Sequence, residues 1–370
     1  MADDSNRSPD SLAAYLALTQ VPGIGAARLR LLLAAFETPQ AALTAPHRAI
    51  AALAGFSKAA ATAIRAQSPA AGARILADVE RFGARVLLPG DAAFPALLRE
   101  IPEAPVVLYA WGDVALLGRP AAAMVGSRDH TEYGATAARL LAAGVARAAV
   151  VVSGMARGID AIVHSAALDA GGASVGVLGN GFGVIYPAAN RALYDRMVAH
   201  GCLVTEHPPG ERPHAGAFPR RNRLISGLAL AVVVVEARVT SGALITVDSG
   251  LAQGRTVLAV PGPITSLTSE GCNKLIQQGA KPALCAGDIL EELGLGGLTP
   301  ARCAGVEPGP PPDLSPLQLS LWNQLAERRH IDALAINAQA APPQVLTALT
   351  ELELRGLVRQ EPGMQFTRVQ

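Results

Sequence analysis

The sequence is poor in aromatic residues, cysteine and net charge, and each shortage excludes something. Aromatic residues make up 4% of the 370 residues, so alanine, leucine and valine must form most of the interior, as in helices and buried parallel strands. The net charge of +1 excludes a chain that is basic throughout, so a basic surface could only be local. Lysine occurs only at positions 58, 274 and 281, and arginine, whose planar fork suits phosphate, supplies the other cations.

The four cysteines give no sign of a metal site. Cys202, Cys272, Cys285 and Cys303 lie far apart, without a Cys-x-x-Cys or Cys/His pair. We expect buried, reduced thiols, no bound metal and no cofactor.

Long hydrophobic runs and targeting signals are also missing. No apolar run reaches the length that spans a bilayer, and the first ten residues, MADDSNRSPD, are polar and acidic, unlike a signal peptide. We expect a soluble, cytoplasmic protein with no membrane partner.

The length favours two or three domains. Residues 1–75 are predicted to form a helical domain of the SAM or helix-hairpin-helix type, with a turn at Val21–Gly25 between two helices. Such hairpins can present backbone N–H groups to a phosphate. The alternative is a packing module whose glycines only make tight turns, and the sequence leaves both open.

Residues 76–300 alternate short apolar runs with amphipathic helices. This pattern predicts an α/β fold: an extended, Rossmann-like, doubly wound and mainly parallel sheet. The run Ala231–Val235 is apolar on both faces, as expected for a central strand. The predicted strands are Arg85–Leu88, Val106–Trp111, Ala121–Val125, Ala149–Val152, Ser174–Leu178, Cys202–Thr205, Leu230–Val235, Thr256–Val260 and Pro282–Cys285.

The last part of the chain is predicted to be a winged-helix domain. Residues 301–313 are rich in proline and glycine and form a predicted linker. Residues 314–370 then give three helices, at 316–327, 331–337 and 342–355, and a β-hairpin. The third helix holds Glu351, Glu353 and only Arg355, so phosphate repulsion argues against its reading duplex DNA.

Phosphate-binding chemistry follows several of the predicted strands. Ligands of doubly wound sheets bind at the carboxyl ends of the strands, and there this chain places glycines, hydroxyls and cations that can hold phosphate. The candidate phosphate-binding residues are Gly126, Ser127, Arg128, Ser153, Gly154, Arg157, Phe218, Arg220, Arg221, Asn222, Arg223, Ser241, Gly242, Asn273 and Lys274.

Several of these residues also have a purely structural interpretation. Arg157 could pair with Asp160 on one helix, and one or two of the arginines at 220–223 could pair with Glu206 or Glu236. His164 faces a helix interior by its spacing, so we expect a core histidine. The repetition of the same chemistry at several strand ends favours a binding site.

Motifs of an enzyme are not found. The sequence has no Walker A loop, no complete G-x-G-x-x-G fingerprint after the first strand and no recognisable nucleophile with its base. We therefore expect a binding protein rather than an enzyme.

Six stretches, in this order and spacing, resemble the DprA/Smf family of DNA-processing proteins of bacterial natural transformation. They are MVGSRDHTEYG (124–134), VVSGMARGIDAIVHSAAL (151–168), GVLGNGFGVIYPAANRALY (176–194), FPRRNRLISGLALAVVVVEARVTSGALIT (218–246) and GRTVLAVPGPI with GCNKLIQQGA (254–264, 271–280). They cover most of residues 85–290. The chain departs from the common pattern at Ala229-Leu230, where Ser-Asp is frequent, and at Thr205, where serine is common.

The resemblance implies a function. The family binds single-stranded DNA in a basic pocket of an extended Rossmann fold, protects incoming strands, loads the RecA recombinase and forms homodimers through this domain. Carried over, the pocket would include Arg128, Ser153, Gly154, Arg157, Phe218, Arg221, Asn222, Arg223 and Lys274. For the dimer, the sequence offers apolar residues within 271–295, among them Leu275, Ile276, Leu284, Ile289, Leu290 and Leu293, which could equally pack inside the core.

A second hypothesis is a nucleotide-binding enzyme or sensor related to phosphoribohydrolases, which resemble this fold. Those enzymes carry a glycine-rich Pro-Gly-Gly-x-Gly-Thr loop and a catalytic glutamate at the phosphate site. This chain has Thr240-Ser241-Gly242-Ala243 after Glu236. The missing glycine-rich loop favours binding over hydrolysis.

Overall fold

The computed structural model describes residues 8–296 and 313–368, which belong to two compact units. The predicted linker, 301–313, lies outside the described residues except for Asp313. Each unit has its own apolar core.

The first unit begins with six helices. They are α1 (Pro9–Thr19), α2 (Ala26–Phe36), α3 (Pro39–Thr44), α4 (His47–Ala51), α5 (Lys58–Arg65) and α6 (Pro69–Arg81). Ser8, Thr38, Ser57 and Ser68 cap α1, α3, α5 and α6 by accepting a hydrogen bond from a first-turn N–H. Helix α6 crosses the predicted domain boundary at 75/76. Leu16 and Val79 share an apolar cluster with Tyr109 and Leu203 of the sheet, so the helical region and the sheet pack as one unit.

A nine-stranded sheet is the centre of this unit. Its strands are β1 (Arg85–Leu87), β2 (Leu108–Gly112), β3 (Ala121–Val125), β4 (Val150–Ser153), β5 (Ala173–Val177), β6 (Cys202–Thr205), β7 (Ala231–Val234), β8 (Thr256–Ala259) and β9 (Lys281–Pro282). The order is β1-β2-β6-β5-β4-β3-β7-β8-β9. The β1–β2 and β2–β6 pairs are antiparallel and all others are parallel.

Helices cover both faces of the sheet, which confirms the doubly wound, mainly parallel fold. They are α7 (Ala96–Arg99), α8 (Glu132–Ala146), α9 (Ile159–Asp169), α10 (Arg191–His200), α11 (Ala217–Gly227), α12 (Ala243–Ala252), α13 (Glu270–Gln277) and α14 (Ala286–Glu292). Along β7, Val232 and Val234 join the cluster on one face, while Ala231 and Val233 join the other. A strand apolar on both faces is needed because helices exclude water from both sides.

Two sequence expectations about the core can be checked directly. His164 is fully buried, with Nδ1 2.7 Å from Ser174 Oγ, so the core histidine is confirmed. Cys202 and Cys272 are buried free thiols, whereas Cys285 is half-buried.

Within the described ranges, no helix is both long and apolar enough to cross a bilayer.

The second unit is a winged helix. It contains α15 (Pro316–Gln324), β10 (Arg329–His330), α16 (Ile331–Ala338), α17 (Pro342–Leu354), β11 (Val358–Glu361) and β12 (Gln365–Arg368), with strand order β10-β12-β11. Three helices and a hairpin were predicted, and the short strand β10 was not. A segment of two residues is too short to show the alternation that predicts a strand. Arg329 and His330 form β10 because they pair with Phe366 and Gln365 of β12.

Candidate phosphate-binding cleft

The cleft lies where the strand order reverses. The chain builds β4, β5 and β6 on one side of β3 and β7, β8 and β9 on the other, which is the point where doubly wound sheets bind ligands. The cleft encloses about 810 Å³. Its walls are the loop after β3 (126–129), the loop after β7 (238–242) and the start of α11, with Ala156, Asp160 and Tyr186 between them.

Close packing of backbone loops forms the floor of the cleft. Gly158 has a φ of +81°, and a Cβ there would lie 2.4 Å from the carbonyl oxygen of Ser127. A Cβ on Gly154 would lie 2.7 Å from the Arg221 guanidinium and from Asp160 Oδ2. A side chain at position 158 would push the two loops apart, and one at position 154 would displace the buried Arg221 and Asp160 side chains, so glycine suits both positions.

Arg221 and Asp160 hold these loops from beneath. The Arg221 side chain is buried, and Nη1 donates to the carbonyl oxygens of Gly154, at 2.5 Å, and of Val177. Asp160 accepts from the Gly154 N–H at 3.1 Å and the Ala156 N–H at 3.4 Å. Burial raises the pKa of Asp160, and the nearby guanidinium opposes that rise. Arg221 thus ties the loop after β4 to the end of β5.

The loop after β3 presents one arginine to the cleft. Arg128 is exposed and has no carboxylate partner among the residues that the structure describes. Ser127 Oγ is used locally, since it donates to the Asp129 carbonyl at 2.9 Å. Arg157 is exposed outside the cleft lining, with Nη2 3.4 Å from Asp129 Oδ1.

Helix α11 distributes its polar side chains over two sides. Phe218, Arg221 and Asn222 line the cleft, whereas Arg220 and Arg223 line a neighbouring groove. Successive residues of a helix are rotated by about 100°, so the arginines of one run cannot all face the same side of α11. Arg223 Nη2 lies 2.7 Å from both carboxylate oxygens of Glu206, one of the structural pairings that the sequence left open.

The remaining predicted residues are divided between the cleft and other places. Ser241 and Gly242 line the cleft at the start of α12, which has no side-chain cap. Ser153 is buried and donates to the Met124 carbonyl at 2.6 Å. Asn273 bonds to the backbone of Gly262, and the exposed Lys274 does not line the cleft.

The structure adds residues that the sequence analysis did not single out. Tyr186 is 47% exposed in the cleft, and its ring centroid lies 5.3 Å from that of Phe218 at an interplanar angle of 35°. Arg238 is exposed after β7 and also lines the cleft. Both follow strand ends, which is the signal that could have found them.

The Glu236 carboxylate connects two segments of the fold. It is buried, and its carboxylate accepts from the Thr131 N–H at 2.9 Å, from Thr131 Oγ1 at 2.8 Å and from Thr268 Oγ1 at 2.7 Å. Its oxygens therefore hold the start of α8 and the loop before α13.

This fold and cleft define a Rossmann-like α/β protein that also carries a winged-helix unit. Residues 85–294 match the family model of DNA recombination-mediator protein A, and residues 306–364 match the DprA winged helix domain. The chain belongs to the DNA recombination-mediator protein A family, also called DprA/Smf.

Individual relatives agree with this assignment. The protein Smf of Synechocystis sp. is 33% identical in an alignment that covers 96% of this chain and 98% of that protein. The X-ray structure of DNA processing protein A from Streptococcus pneumoniae superposes with a TM-score of 0.67 at 34% identity, covering 75% of this chain and 97% of that one. A structure of DNA processing protein A from Helicobacter pylori, described for its single-stranded DNA binding mode, has a TM-score of 0.52 at 26% identity, covering 57% of this chain and 95% of that one.

Proposed function

We propose that this chain binds single-stranded DNA in the cleft between the loops after β3 and β7. The observation that carries the proposal is the combination of unpaired arginines and two adjacent aromatic rings in one cleft. Arg128 and Arg238 have no carboxylate partner in the described parts of the chain, so they are available to phosphate. Phe218 and Tyr186 offer ring faces to bases. The Helicobacter pylori neighbour, described as a single-stranded DNA binder, supports the same assignment.

The predicted site residues take different parts in this proposal. Gly126, Ser127, Arg128, Phe218, Asn222, Ser241 and Gly242 line the cleft and would contact the strand. Arg221, Gly154 and Ser153 would position its loops. For Arg157, Asn273 and Lys274, contact with the strand stays a prediction, because the structure does not bring them into the cleft.

Binding is favoured over catalysis by the position of Glu236. A phosphoribohydrolase needs a carboxylate that can reach its substrate, and Glu236 is buried with three donors on its oxygens. We therefore propose a binding protein, with no base released from nucleoside monophosphates. An assay for free base after prolonged incubation with each nucleoside monophosphate tests the enzymatic alternative.

The wider role follows from the family resemblance. We propose that the chain protects incoming single strands and loads RecA onto them in the cytoplasm during DNA recombination and natural transformation. We also propose a homodimer through the Rossmann-like unit. Ile264, Leu267 and Leu284 support it, because these large apolar side chains are 96%, 67% and 70% exposed, whereas Ile289 and Leu290 are buried. Sedimentation at micromolar concentration should give twice the chain mass.

The winged helix contributes little to duplex binding in this proposal. The exposed side of α17 carries Leu346, Thr350, Glu351 and Leu354, and Arg355 is engaged by Asp313 at 2.8 Å. Within the part of the chain that the structure describes, the exposed side of α17 offers no free cation to a phosphate. The chain should therefore prefer single strands.

Fluorescence anisotropy with a labelled 20-nucleotide oligothymidylate and a duplex of equal length tests the proposed function. The single strand should bind more tightly than the duplex, with an affinity that falls steeply as salt rises, because phosphate contacts release counterions. Equal or stronger binding of the duplex would contradict the proposal.

A further inference from the structure

A second groove continues from the cleft toward the N-terminal helices. It encloses about 910 Å³ between the turn Val21–Gly25 and α11, and we call it the hairpin groove. His214 and Arg221 line both spaces, and Ala217 and Phe218 are neighbours on α11, one in each lining. The two spaces therefore adjoin along α11, and a strand that leaves the cleft past the exposed His214 side chain would reach the hairpin groove.

The hairpin groove has free positive charge on both walls. Arg220 on α11 is exposed and forms no ion pair with any described residue. Arg30 on α2 is exposed, and its Nε donates only to the Ala26 carbonyl of its own helix, at 3.3 Å. These two arginines belong to different helices, α2 and α11, that both line this groove.

The carboxylates of the hairpin groove are already engaged. Arg223 neutralises Glu206 at 2.7 Å and approaches Glu103 at 3.7 Å. Glu211 Oε1 lies 2.7 Å from His207 Nδ1. Five arginines line this groove against three glutamates, so the balance of charge that a ligand meets is positive, which suits a polyanion.

The turn wall is held in shape by a glycine and an arginine. Gly23 has a φ of +81°, and Arg28 braces the turn by donating from Nη1 to the Gly23 carbonyl at 3.0 Å. Helix α2 begins at Ala26, and its N-cap residue, Gly25, has no side chain to cap it. Among the residues that the structure describes, the N–H groups of Ala26, Ala27 and Arg28 have no hydrogen-bond partner, so they add to the field of Arg30.

We infer that the hairpin groove binds the phosphates of the same single strand beyond the segment held in the cleft. This inference rests on the proposed function. It makes the N-terminal helices part of the DNA path, with Arg30 and Arg220 as the phosphate contacts on facing walls.

A length series of oligothymidylates, from 4 to 20 nucleotides, tests the inference on the full chain. In the native protein, affinity should increase a second time once the oligonucleotide is longer than the segment that the cleft holds, because its further phosphates then reach the hairpin groove. The Arg30→Glu variant should lose about tenfold or more on the longest oligonucleotide, as expected for a lost charged hydrogen bond to phosphate. Its salt slope should fall by about one, while the shortest bound oligonucleotide keeps its affinity.

Arg74→Glu is the matched control. Arg74 is exposed on α6, lines neither space and forms no ion pair with the residues that the structure describes, so its reversal makes the same change in net charge. If Arg30→Glu and Arg74→Glu have the same affinity at every oligonucleotide length, the inference is wrong. The proposed function still stands in that case, because single strands bind. If the native protein binds no single strand, the proposed function itself fails.

Photocrosslinking locates the strand independently of any variant. A 20-nucleotide oligothymidylate carrying 4-thiothymidine near one end should form adducts with peptides spanning residues 19–30. Adducts confined to residues 126–129 and 238–242, which line the cleft and not the hairpin groove, would overturn the inference.

Discussion

Arg223 is held by Glu206, with Nη2 2.7 Å from both carboxylate oxygens. Its side chain is only 13% exposed. The sequence predicts both Arg128 and Arg223 as phosphate ligands. Unlike Arg223, Arg128 is exposed and has no ion-pair partner in the part of the chain that the structure describes. The two arginines therefore differ in function: one supports the fold and the other is available to phosphate.

We predict opposite consequences for the two arginines. Arg128→Ala should weaken single-strand binding about tenfold or more, because a charged hydrogen bond to phosphate is lost, and should leave the melting temperature unchanged. Arg223→Ala should lower the free energy of unfolding by roughly 1–3 kcal/mol, because the Glu206 carboxylate loses its hydrogen-bond partner. Anisotropy and thermal melting, measured on both variants, separate the two effects. Unchanged binding by Arg128→Ala would remove Arg128 from the site.

The adjacent rings of Tyr186 and Phe218 give a second prediction. Tyr186→Leu should reduce single-strand affinity by an amount equivalent to roughly 1–3 kcal/mol, because a base loses its stacking partner. Stability should hardly change, since the ring is about half exposed. Tyr186→Phe, which keeps the ring, is the control and should bind normally.

Phe218 can be tested in the same assay. It lies against the backbone at Gly179, where an added Cβ would approach its ring to 3.0 Å, so it could serve as an anchor, as a stacking surface, or as both. Phe218→Leu should reduce affinity by a similar amount if it stacks. A lower melting temperature with unchanged affinity would leave only the anchoring role.

Arg221 should matter for stability more than for direct contact. Arg221→Met would leave the carbonyls of Gly154 and Val177 without their donor and Asp160 without its nearby cation. Each buried group left without a partner costs about 1–3 kcal/mol, so thermal melting should show a large loss. A Met variant with native stability would show that the loops do not depend on this side chain.

Stability should fall in acid because of His164. Burial, with a smaller contribution from the Arg221 charge, lowers the pKa of His164 from 6.5 to about 3. The unfolded chain therefore takes up this proton below pH 6.5 while the folded chain does not, and stability is lost as the pH falls toward 3. Between pH 7 and pH 4 this group should account for a loss on the order of 3 kcal/mol.

Denaturant unfolding at several pH values checks this prediction. His164→Gln removes the titrating group and should flatten the dependence between pH 6.5 and 4. The same pH dependence in both proteins would mean that other groups cause it.

Much of the fold could be predicted because its pattern is local. The run Ala231–Val235 is apolar on both faces, and this is sufficient to predict a central strand. The two-residue strands β9 and β10 depend on pairing partners distant in the sequence, so periodicity placed β9 at Pro282–Cys285 and missed β10.

The candidate site was less predictable, for a physical reason. The sequence locates basic residues near strand ends, but tertiary partners determine which of them stay free. Arg221 is engaged by two carbonyls and Arg223 by a carboxylate, and neither partner is near them in sequence. Tyr186 was visible after β5, yet only the packing of α11 brings it beside Phe218.

A crystal structure of this chain with a short oligothymidylate tests the central claim most directly. A phosphate should lie within hydrogen-bond distance of the Arg128 guanidinium, and a base should stack on Tyr186 or Phe218. A strand bound elsewhere on the molecule, with the cleft between the β3 and β7 loops empty, would contradict the account.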